Sequence, residues 1–402
     1  MSSHIIAGLD IGSHSIKMAQ ARLKEEEQGQ GLEIIGLAQE PSSGVRKGQV
    51  VKPKETAEKI LALKQRVANL SSHKVDQVLV NIGGSHISVV PSHGIVAVSR
   101  ADGQISQEDV DRVMGAAQTF SLPSNKEVLS VFPKRFMVDG QDSAREVAGM
   151  KGVRLEADVL ALCAFSPYIK NLTEAVFGAD LDIAEIVPSP LMGTEAVLTP
   201  RQKELGVAVI DLGAGTTNLA VYEEGDVVHA AVFPVGSENI TNDIAIGLRT
   251  EHDIAEAIKK EFGTLSQLKG KRKETLEIPD SPSFTFSPKI VMHIIEARAK
   301  EIFQFVNKEF KTISRQGTLP GGVVLIGGGA KLPKIAEFAK KELKLPSRIG
   351  TPHGIATFET DPVFLGVMGL VARGFQSQGH GFSAGSGDFM QRVKKIFKIF
   401  IP

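Results

Sequence analysis

The chain has a single cysteine in 402 residues, no net charge, and no apolar run approaching 18 residues. Each absence excludes something. One thiol in so long a chain fits a reducing compartment. That thiol, Cys163, sits in the apolar run VLALCAF, which predicts a buried structural side chain rather than a nucleophile. Lys+Arg and Asp+Glu both number 46, so no global field argues for a nucleic-acid partner. Without 18 consecutive apolar residues, no segment is expected to span a membrane. The opening MSSHIIAGLDIGSHS lacks the basic start and apolar core of a signal peptide. The string GxxxxGK[ST] of a Walker P-loop is also missing. What is there is 42% hydrophobic content, enough for a large core divided into two or more lobes, expected in the cytoplasm.

The chain echoes itself. Residues 5–17 read IIAGLDIGSHSIK and residues 207–219 read VAVIDLGAGTTNL. Each is an apolar strand ending in Asp, a short turn rich in Gly, Ser or Thr, and a second strand. Asp10 and Asp211 lie half a chain apart, which predicts a duplicated lobe with one such turn in each. Because the chain turns from strand into strand, backbone N–H groups can face a phosphate without a helix dipole. Gly12, Gly213 and Gly215 permit close backbone approach, and Ser13, Ser15, Thr216 and Thr217 add hydroxyl donors. An aspartate beside phosphates repels them, so Asp10 and Asp211 imply a bridging Mg²⁺, held through water. Either turn alone reads first as an ordinary hairpin; the pairing at half-chain spacing favours the phosphate site.

A third piece is GGVVLIGGGAKLPKI, residues 321–335. An apolar strand, Val323 to Ile326, enters three glycines, and Pro333 is expected at the first position of a helix. Gly327, Gly328 and Gly329 would let a flat ring such as adenine lie on the backbone.

Two DxG turns followed by a late GGG turn resemble the actin-like ATPase superfamily, which includes actin, sugar kinases and heat-shock chaperone ATPases. VPSPLMGTEAVL (187–198) and DPVFLGVMGLVA (361–372) resemble its two helices that cross at the hinge between lobes. The resemblance narrows to the FtsA family of bacterial cell-division proteins. It is carried by VFPVGSENITNDIAIGLRTEHDIAEAIKKEFG (232–263), NIGGSHISVV (81–90), GIVAVSRADGQISQEDVDRVMGAA (94–117) and RIGTP (348–352), and it covers nearly the whole chain.

The resemblance implies an α/β, actin-like two-lobed ATPase fold of duplicated ribonuclease-H-like domains, with an inserted 1C subdomain and a C-terminal amphipathic helix. The first-lobe core (1A) is expected at 1–83 and 162–190, the SHS2-type insert 1C at 84–161, and the second-lobe core (2A) at 191–235 and 315–350. Subdomain 2B falls at 236–314, the closing helix of the first lobe at 351–373, a linker at 374–387 and a membrane-targeting helix at 388–402. The insert reads independently as strands, a helix and more strands: HISVV and GIVAV alternate, and a helix is expected after Ser106, with Glu108 and Asp109 in its first turn.

In the family's terms the cofactors are ATP and Mg²⁺, and the nucleotide residues extend to His14, Lys17, Ala214, Asn218, Gly236 and Lys331. Glu195, on the hinge helix, is the candidate for orienting attacking water beside Asp211, or else a helix acid of no special role. Glu256 and Lys259 are expected one turn apart as ribose or adenine contacts, or as solvated helix charges. There are departures. Family members usually show Gly and Asp where this chain has Ala214 and Asn218, and a more glycine-rich string in place of GSEN (236–239). Asn218 removes a charge near the attacking water, so slow hydrolysis at most is expected.

The implied partners are the C-terminal peptide of FtsZ, the tubulin-like ring protein, at 236–314, other subunits in an actin-like filament, and other division proteins through 1C. KGKRKETLE (269–277) and Lys300, Lys308 and Lys311 give 2B a basic flavour, which suits such a peptide or a solvated face. The tail GDFMQRVKKIFKIFIP follows a glycine- and serine-rich stretch, 374–387, that reads as a random coil reaching roughly 20 Å. On a helix, Phe389, Val393, Ile396 and Phe400 form one stripe flanked by Met390, Phe397 and Ile401, with Arg392, Lys394, Lys395 and Lys398 opposite. An interfacial helix on an anionic cytoplasmic leaflet at the division septum is the expectation. The alternatives are a PilM-like pilus-assembly scaffold and, behind it, a metabolite kinase, for which no base aspartate aimed at an acceptor pocket is found.

Overall fold

The computed structural model describes residues 5–26, 29–118, 123–143, 146–266, 273–277 and 283–379. Two sheets repeat one topology. In the first, Ile5–Ile11, Ser15–Glu26 and Gly29–Pro41 form an antiparallel meander, and Gln77–Ile82 and Asp182–Pro188 add in parallel beside Ile5–Ile11. In the second, Val207–Leu212, Thr217–Glu223 and Asp226–Phe233 form the meander, and Val323–Ile326 and Ser347–Ile349 add in parallel beside Val207–Leu212. The central strands IIAGLDI, VAVIDL and VVLI are buried almost throughout, as parallel strands covered on both faces must be. The half-chain echo is thus a structural duplication.

Helix Pro53–Ser71 starts with proline, whose missing N–H is no loss in a first turn, and ends at Ser72 in the left-handed region. Its Ile60, Leu63 and Val67 follow helical spacing and bury against one face of the first sheet, with Ile169 and Leu172 of helix Ser166–Phe177. The opposite face carries helix Leu365–Gly379, whose Val367, Leu370 and Val371 share one core with Val207, Val209 and Ile326 of the second lobe. The lobes are therefore joined by a common apolar seam.

The two stretches expected as hinge helices pack on each other, but not as two regular helices. Pro188 and Pro190 break the stretch 187–198 into a strand end, a 3₁₀ turn (Ser189–Leu191) and a single helical turn (Thr194–Val197). A Cβ on Gly369 would lie 2.0 Å from the Met192 carbonyl oxygen, so the second element rides directly on the backbone of the first. That helix also runs on to Gly379, into the stretch read as coil from 374. Gly374 packs against Ile6 and Leu79, Phe375 packs on the core, and Ser377 hydrogen-bonds back to the Gly374 carbonyl. Tertiary packing overrides the weak helix propensity of this glycine- and serine-containing stretch.

Between Ile82 and Ser166 the chain forms a second, smaller body. Its sheet runs in the order Ser88–Ala97, Arg154–Phe165, Lys126–Val138, Gln141–Asp142, covered by helix Gln107–Ala117. Ser106 caps that helix: its hydroxyl accepts from Asp109 N at 3.2 Å, and Asp109 returns the favour to Ser106 N at 2.9 Å. Val113 and Ala117 pack on Phe136, Leu155 and Ala157. Strand Arg154–Phe165 starts in this core and ends in the first lobe's, where Leu162 and Ala164 are buried, so the insert is continuous with its lobe through one unbroken strand. Cys163 lies on it, fully buried, and burial pushes its thiol up to about 11, which makes it inert.

In the second lobe, Ser237–Leu248, His252–Phe262, the hairpin Glu274–Leu276/Phe284–Phe286 and the start of helix Pro288–Thr312 form a separate core around Ile244, Ile258, Phe286 and Ile295. The same long helix buries Phe303, Val306 and Phe310 in the lobe's main core. No helix among the described residues is long and apolar enough to cross a membrane. The membrane-segment residues Phe389 to Ile401 lie outside the described residues, as do 380–387 of the stretch read as linker.

Candidate functional site

Two large cavities open between the lobes. One, of about 1250 Å³, lies at the amino-terminal ends of the central strands, against Ile5–Ala7 and Arg373. The other, of about 690 Å³, lies at their carboxyl ends, where both DxG turns and the GGG turn emerge. In open parallel α/β sheets ligands bind at carboxyl ends, because there the strands release their loops. The smaller cavity is the candidate site.

The two turns are built alike. A Cβ on Gly12 would lie 2.8 Å from the Ser15 carbonyl oxygen, and one on Gly213 would lie 2.8 Å from that of Thr216, so glycine is required at the same place in each. The turns face each other across the cleft: Gly215 sits so close to Ser13 that a Cβ would be 2.6 Å from its hydroxyl. Ser13 Oγ accepts from Gly48 N at 2.8 Å, and His14, Ser15, Ala214 and Thr216 complete the rim.

The aspartates occupy equivalent registers but have different partners. Asp10 pairs across its hairpin with Lys17, Nζ to Oδ2 at 2.9 Å; Asp211 pairs with Asn218, Nδ2 to Oδ2 at 2.9 Å. Asn81 holds Asp10 from the neighbouring parallel strand. Its amide nitrogen donates to Asp10 Oδ1 and to Ser189 Oγ, both at 3.1 Å, and its oxygen accepts from Ile11 N at 2.7 Å. Among the described residues no Lys, Arg or His is ion-paired to Asp211. Burial pushes its carboxyl up to about 6, the Asn218 hydrogen bond pulls down, and the charge of Asp10 adds to the rise. Among the described residues no three His, Cys, Asp or Glu side chains cluster for direct metal coordination. Two carboxylates at the mouth of a glycine-lined cleft do fit a cation that keeps most of its waters and shares a phosphate ligand.

Beyond the turns, Gly327 adopts φ 82°, and a Cβ there would lie 2.2 Å from Asp211 Oδ1, so only glycine fits. A Cβ on Gly328 would make ordinary contact with Val363 at 3.6 Å, and Gly329 backs onto Leu212. The result is a bare backbone platform beside the second turn. The following helix begins at Ile335 rather than at Pro333, because Lys334 takes the left-handed conformation as its cap. Lys331 lines the cleft but is ion-paired to Asp361. Lys259 and Glu256 form a network: Lys259 Nζ lies 2.6 Å from Glu256 Oε2 and 2.7 Å from Thr241 Oγ1, and donates to the Ser237 carbonyl at 3.2 Å.

Three residues expected at the site stand elsewhere. Glu195 is ion-paired with Lys203 at 2.6 Å and lines the cavity at the opposite end of the strands, so it faces away from the cleft. The break in 187–198 puts it on a one-turn helix beside the proline-led helix Pro200–Leu205 that carries Lys203. Thr217 is fully buried, and its hydroxyl donates to the Val235 carbonyl at 2.8 Å, which braces the turn instead of facing the cleft. Gly236 lies behind the turn, where a Cβ would be 2.3 Å from the Ala214 carbonyl oxygen; this closeness lets Ser237 N and Glu238 N donate to the Gly213 and Ala214 carbonyls. Asn81, Ser189, His252 and Asp361 are site residues that sequence reading missed. For Asn81 the signal was present, since NIGG follows the apolar strand QVLV as DIG follows IIAGL.

Comparison with known proteins agrees with this arrangement. Residues 208–369 match the family model described as cell division protein FtsA, and residues 84–163 match the SHS2 domain inserted in FtsA. The cell division protein FtsA of Pseudomonas aeruginosa is 33% identical over 389 residues, covering 95% of this chain and 92% of its own. That of Bacillus subtilis is 34% identical, covering 92% and 83%, and that of Escherichia coli K12 is 30% identical, covering 94% and 92%. Among solved structures, the PilM–PilN type IV pilus biogenesis complex contains a chain matching at a TM-score of 0.66 and 18% identity, covering 92% of this chain and 98% of its own. MreB5 of Spiroplasma citri, bound to ADP, matches at 0.56 and 13% identity, covering 93% and 97%. At such identities these two speak for the actin-like fold alone.

Proposed function

The chain belongs to the FtsA family of cell-division proteins and carries its actin-like fold with an SHS2 insert, and from that premise we propose that it binds ATP with Mg²⁺ and tethers FtsZ polymers to the cytoplasmic face of the membrane at the division septum. The observation that carries the nucleotide reading is the pair of equivalent glycine turns facing each other at the carboxyl ends of duplicated strands, each with its aspartate behind it.

In this reading the N–H groups of the turns 12–15 and 213–216 cradle the phosphates, and Lys17 supplies a buried ammonium beside them. The Gly327–Gly329 platform takes the adenine, and Lys259 and Glu256 hold the ribose end. When bound, Mg²⁺ supplies countercharge to the phosphates beside Asp211 and Asp10. With Glu195 turned to the opposite cavity, no acid on the hinge element is placed to orient water. The nucleotide then serves chiefly as a clasp between lobes: contacts to both turns favour the closed state and thereby self-association into filaments. FtsZ's C-terminal peptide would dock on 236–314, where Ile246 and Ile290 are 76% and 48% exposed on two helices of one small core. The insert would contact neighbouring subunits and other division proteins. The segment 388–402 would bind anionic lipid through Phe389, Met390, Val393, Ile396, Phe397 and Phe400, with avidity from polymerisation.

The test is co-sedimentation with FtsZ and anionic vesicles, with ATP or without nucleotide, for the full chain and for one ending at residue 387. FtsZ should pellet with vesicles only with the full chain, and more with ATP. Recruitment of FtsZ indifferent to the deletion would refute the tether.

A further inference from the structure

Between the first meander and helix Pro53–Ser71 stands a small hairpin, Val45–Arg46 paired with Gln49–Val50, that the nucleotide reading leaves unused. Lys47 and Gly48 form its two-residue turn with φ of 47° and 73°, two positive values that suit the right-handed twist of flanking strands. Its base is fixed to the first lobe. Val51 N and Lys52 N donate to the Gly44 carbonyl at 2.8 and 3.0 Å, and the Asn171 amide donates to the Val50 carbonyl at 2.9 Å. Gln49 packs on Gly84, where a Cβ would lie 2.5 Å from its Cγ.

The same segment is bonded to the first glycine turn of the cleft. Gly48 N donates to Ser13 Oγ at 2.8 Å, Ser42 Oγ to the Gly12 carbonyl at 2.7 Å, and Ser42 N to the His14 carbonyl at 3.0 Å. Because the Ser13 hydroxyl accepts from Gly48, its own proton stays free to donate. The hairpin tip also meets the other lobe. A Cβ on Gly215 would lie 2.6 Å from Ser13 Oγ and 3.1 Å from Lys47 Cα, so both glycine turns and the hairpin converge at one point.

The charge at that point is unspent. The lysines that line the cleft, Lys17, Lys259, Lys260 and Lys331, are each tied to a carboxylate. Lys47 is exposed beside them, and among the described residues its side chain enters no ion pair or hydrogen bond. Its ammonium rides on a flexible four-carbon stem, whereas its backbone is held from both sides. The Gly327–Gly329 platform belongs to the second lobe and the hairpin to the first, so the phosphate farthest from the base is the one that comes under the hairpin.

We infer that Lys47 is the residue by which this chain distinguishes ATP from ADP: its ammonium takes the terminal phosphate at the point where the two lobes touch. The inference deepens the nucleotide reading above and rests on it. A nucleotide one phosphate short leaves the ammonium in water and gives the hairpin nothing to hold, so closure of the lobes becomes sensitive to which nucleotide is bound.

The experiment is displacement of a ribose-labelled fluorescent ADP from the full chain by ATP and by ADP in Mg²⁺, with thermal melts to establish that each variant is folded. The parent should bind ATP more tightly than ADP. Lys47→Gln, which keeps the length of the side chain and removes its charge, should weaken ATP about tenfold and leave ADP within about twofold. Lys47→Arg should keep the parent's preference within about threefold. Arg46→Gln removes the same charge one residue away and should leave the preference within about twofold. A structural role for the hairpin would weaken both nucleotides together. A parent without preference, an unchanged preference in Lys47→Gln, or an equal fall in Arg46→Gln would overturn the inference. A parent chain that binds neither nucleotide would remove the nucleotide reading itself, and this inference with it.

Discussion

Replacing Asp211 with asparagine should make the ligand-free protein more stable at neutral pH, and the gain should disappear in acid. Asp211 is 8% exposed, and its carboxyl is pushed from 3.8 to about 6, chiefly by burial. Folding therefore favours the protonated acid. Its contribution to stability is complete below the unfolded value and is lost as pH rises through about 6. A rise of about two pK units at about 1.4 kcal/mol each amounts to about 3 kcal/mol. Asparagine has the same shape, never ionises, and can still accept from Asn218 through its own amide oxygen. Urea unfolding in EDTA should therefore find Asp211→Asn about 3 kcal/mol more stable than the parent at pH 7.5 and only about 1 kcal/mol more stable at pH 4.5. A variant less stable at pH 7.5, or an advantage that does not change with pH, would refute the electrostatic account of this site. The prediction also has a functional edge, since a charged group held at such a cost in the absence of ligand is one that a bound cation would relieve.

Other perturbations separate site from scaffold. Glu195→Gln should leave nucleotide affinity unchanged in a fluorescence titration. It should also cost about 3–5 kcal/mol in urea unfolding, because Lys203, with a side chain only 15% exposed, loses its counter-charge. Thr217→Val should likewise spare affinity while costing about 1–3 kcal/mol, since the Val235 carbonyl is left without its donor. Gly369→Ala drives a methyl group to 2.0 Å from the Met192 carbonyl oxygen; calorimetry should show a loss of about 1–3 kcal/mol or more, and nucleotide-dependent polymerisation followed by light scattering should fall with it.

How far the sequence foretold the site depends on how local each constraint is. Gly12 and Gly213 were legible because each clash is with a carbonyl three residues on, inside the same turn. The helix after Ser106 was legible because its cap is a contact between residues three apart. Glu195, Thr217 and Asn81 were misread or missed because their roles are set by Lys203 on another helix, by the end of a neighbouring strand, and by a parallel strand 71 residues away. The resemblance of 187–198 to a family helix predicts one continuous helix, whereas its two prolines impose the break that is found. Asn218 belongs to both groups. The sequence displayed it plainly as a departure from the family's usual aspartate, and its apparent meaning was a lost charge. Across the hairpin from Asp211 it means something more specific, because an aspartate at that register would stand 2.9 Å from another carboxylate and would depend on a cation to be tolerated there. An amide donates to Asp211 instead and holds it in place before any ligand arrives. A residue that looks like a lost charge in one dimension is, in three, the neutral donor that holds Asp211 across the hairpin.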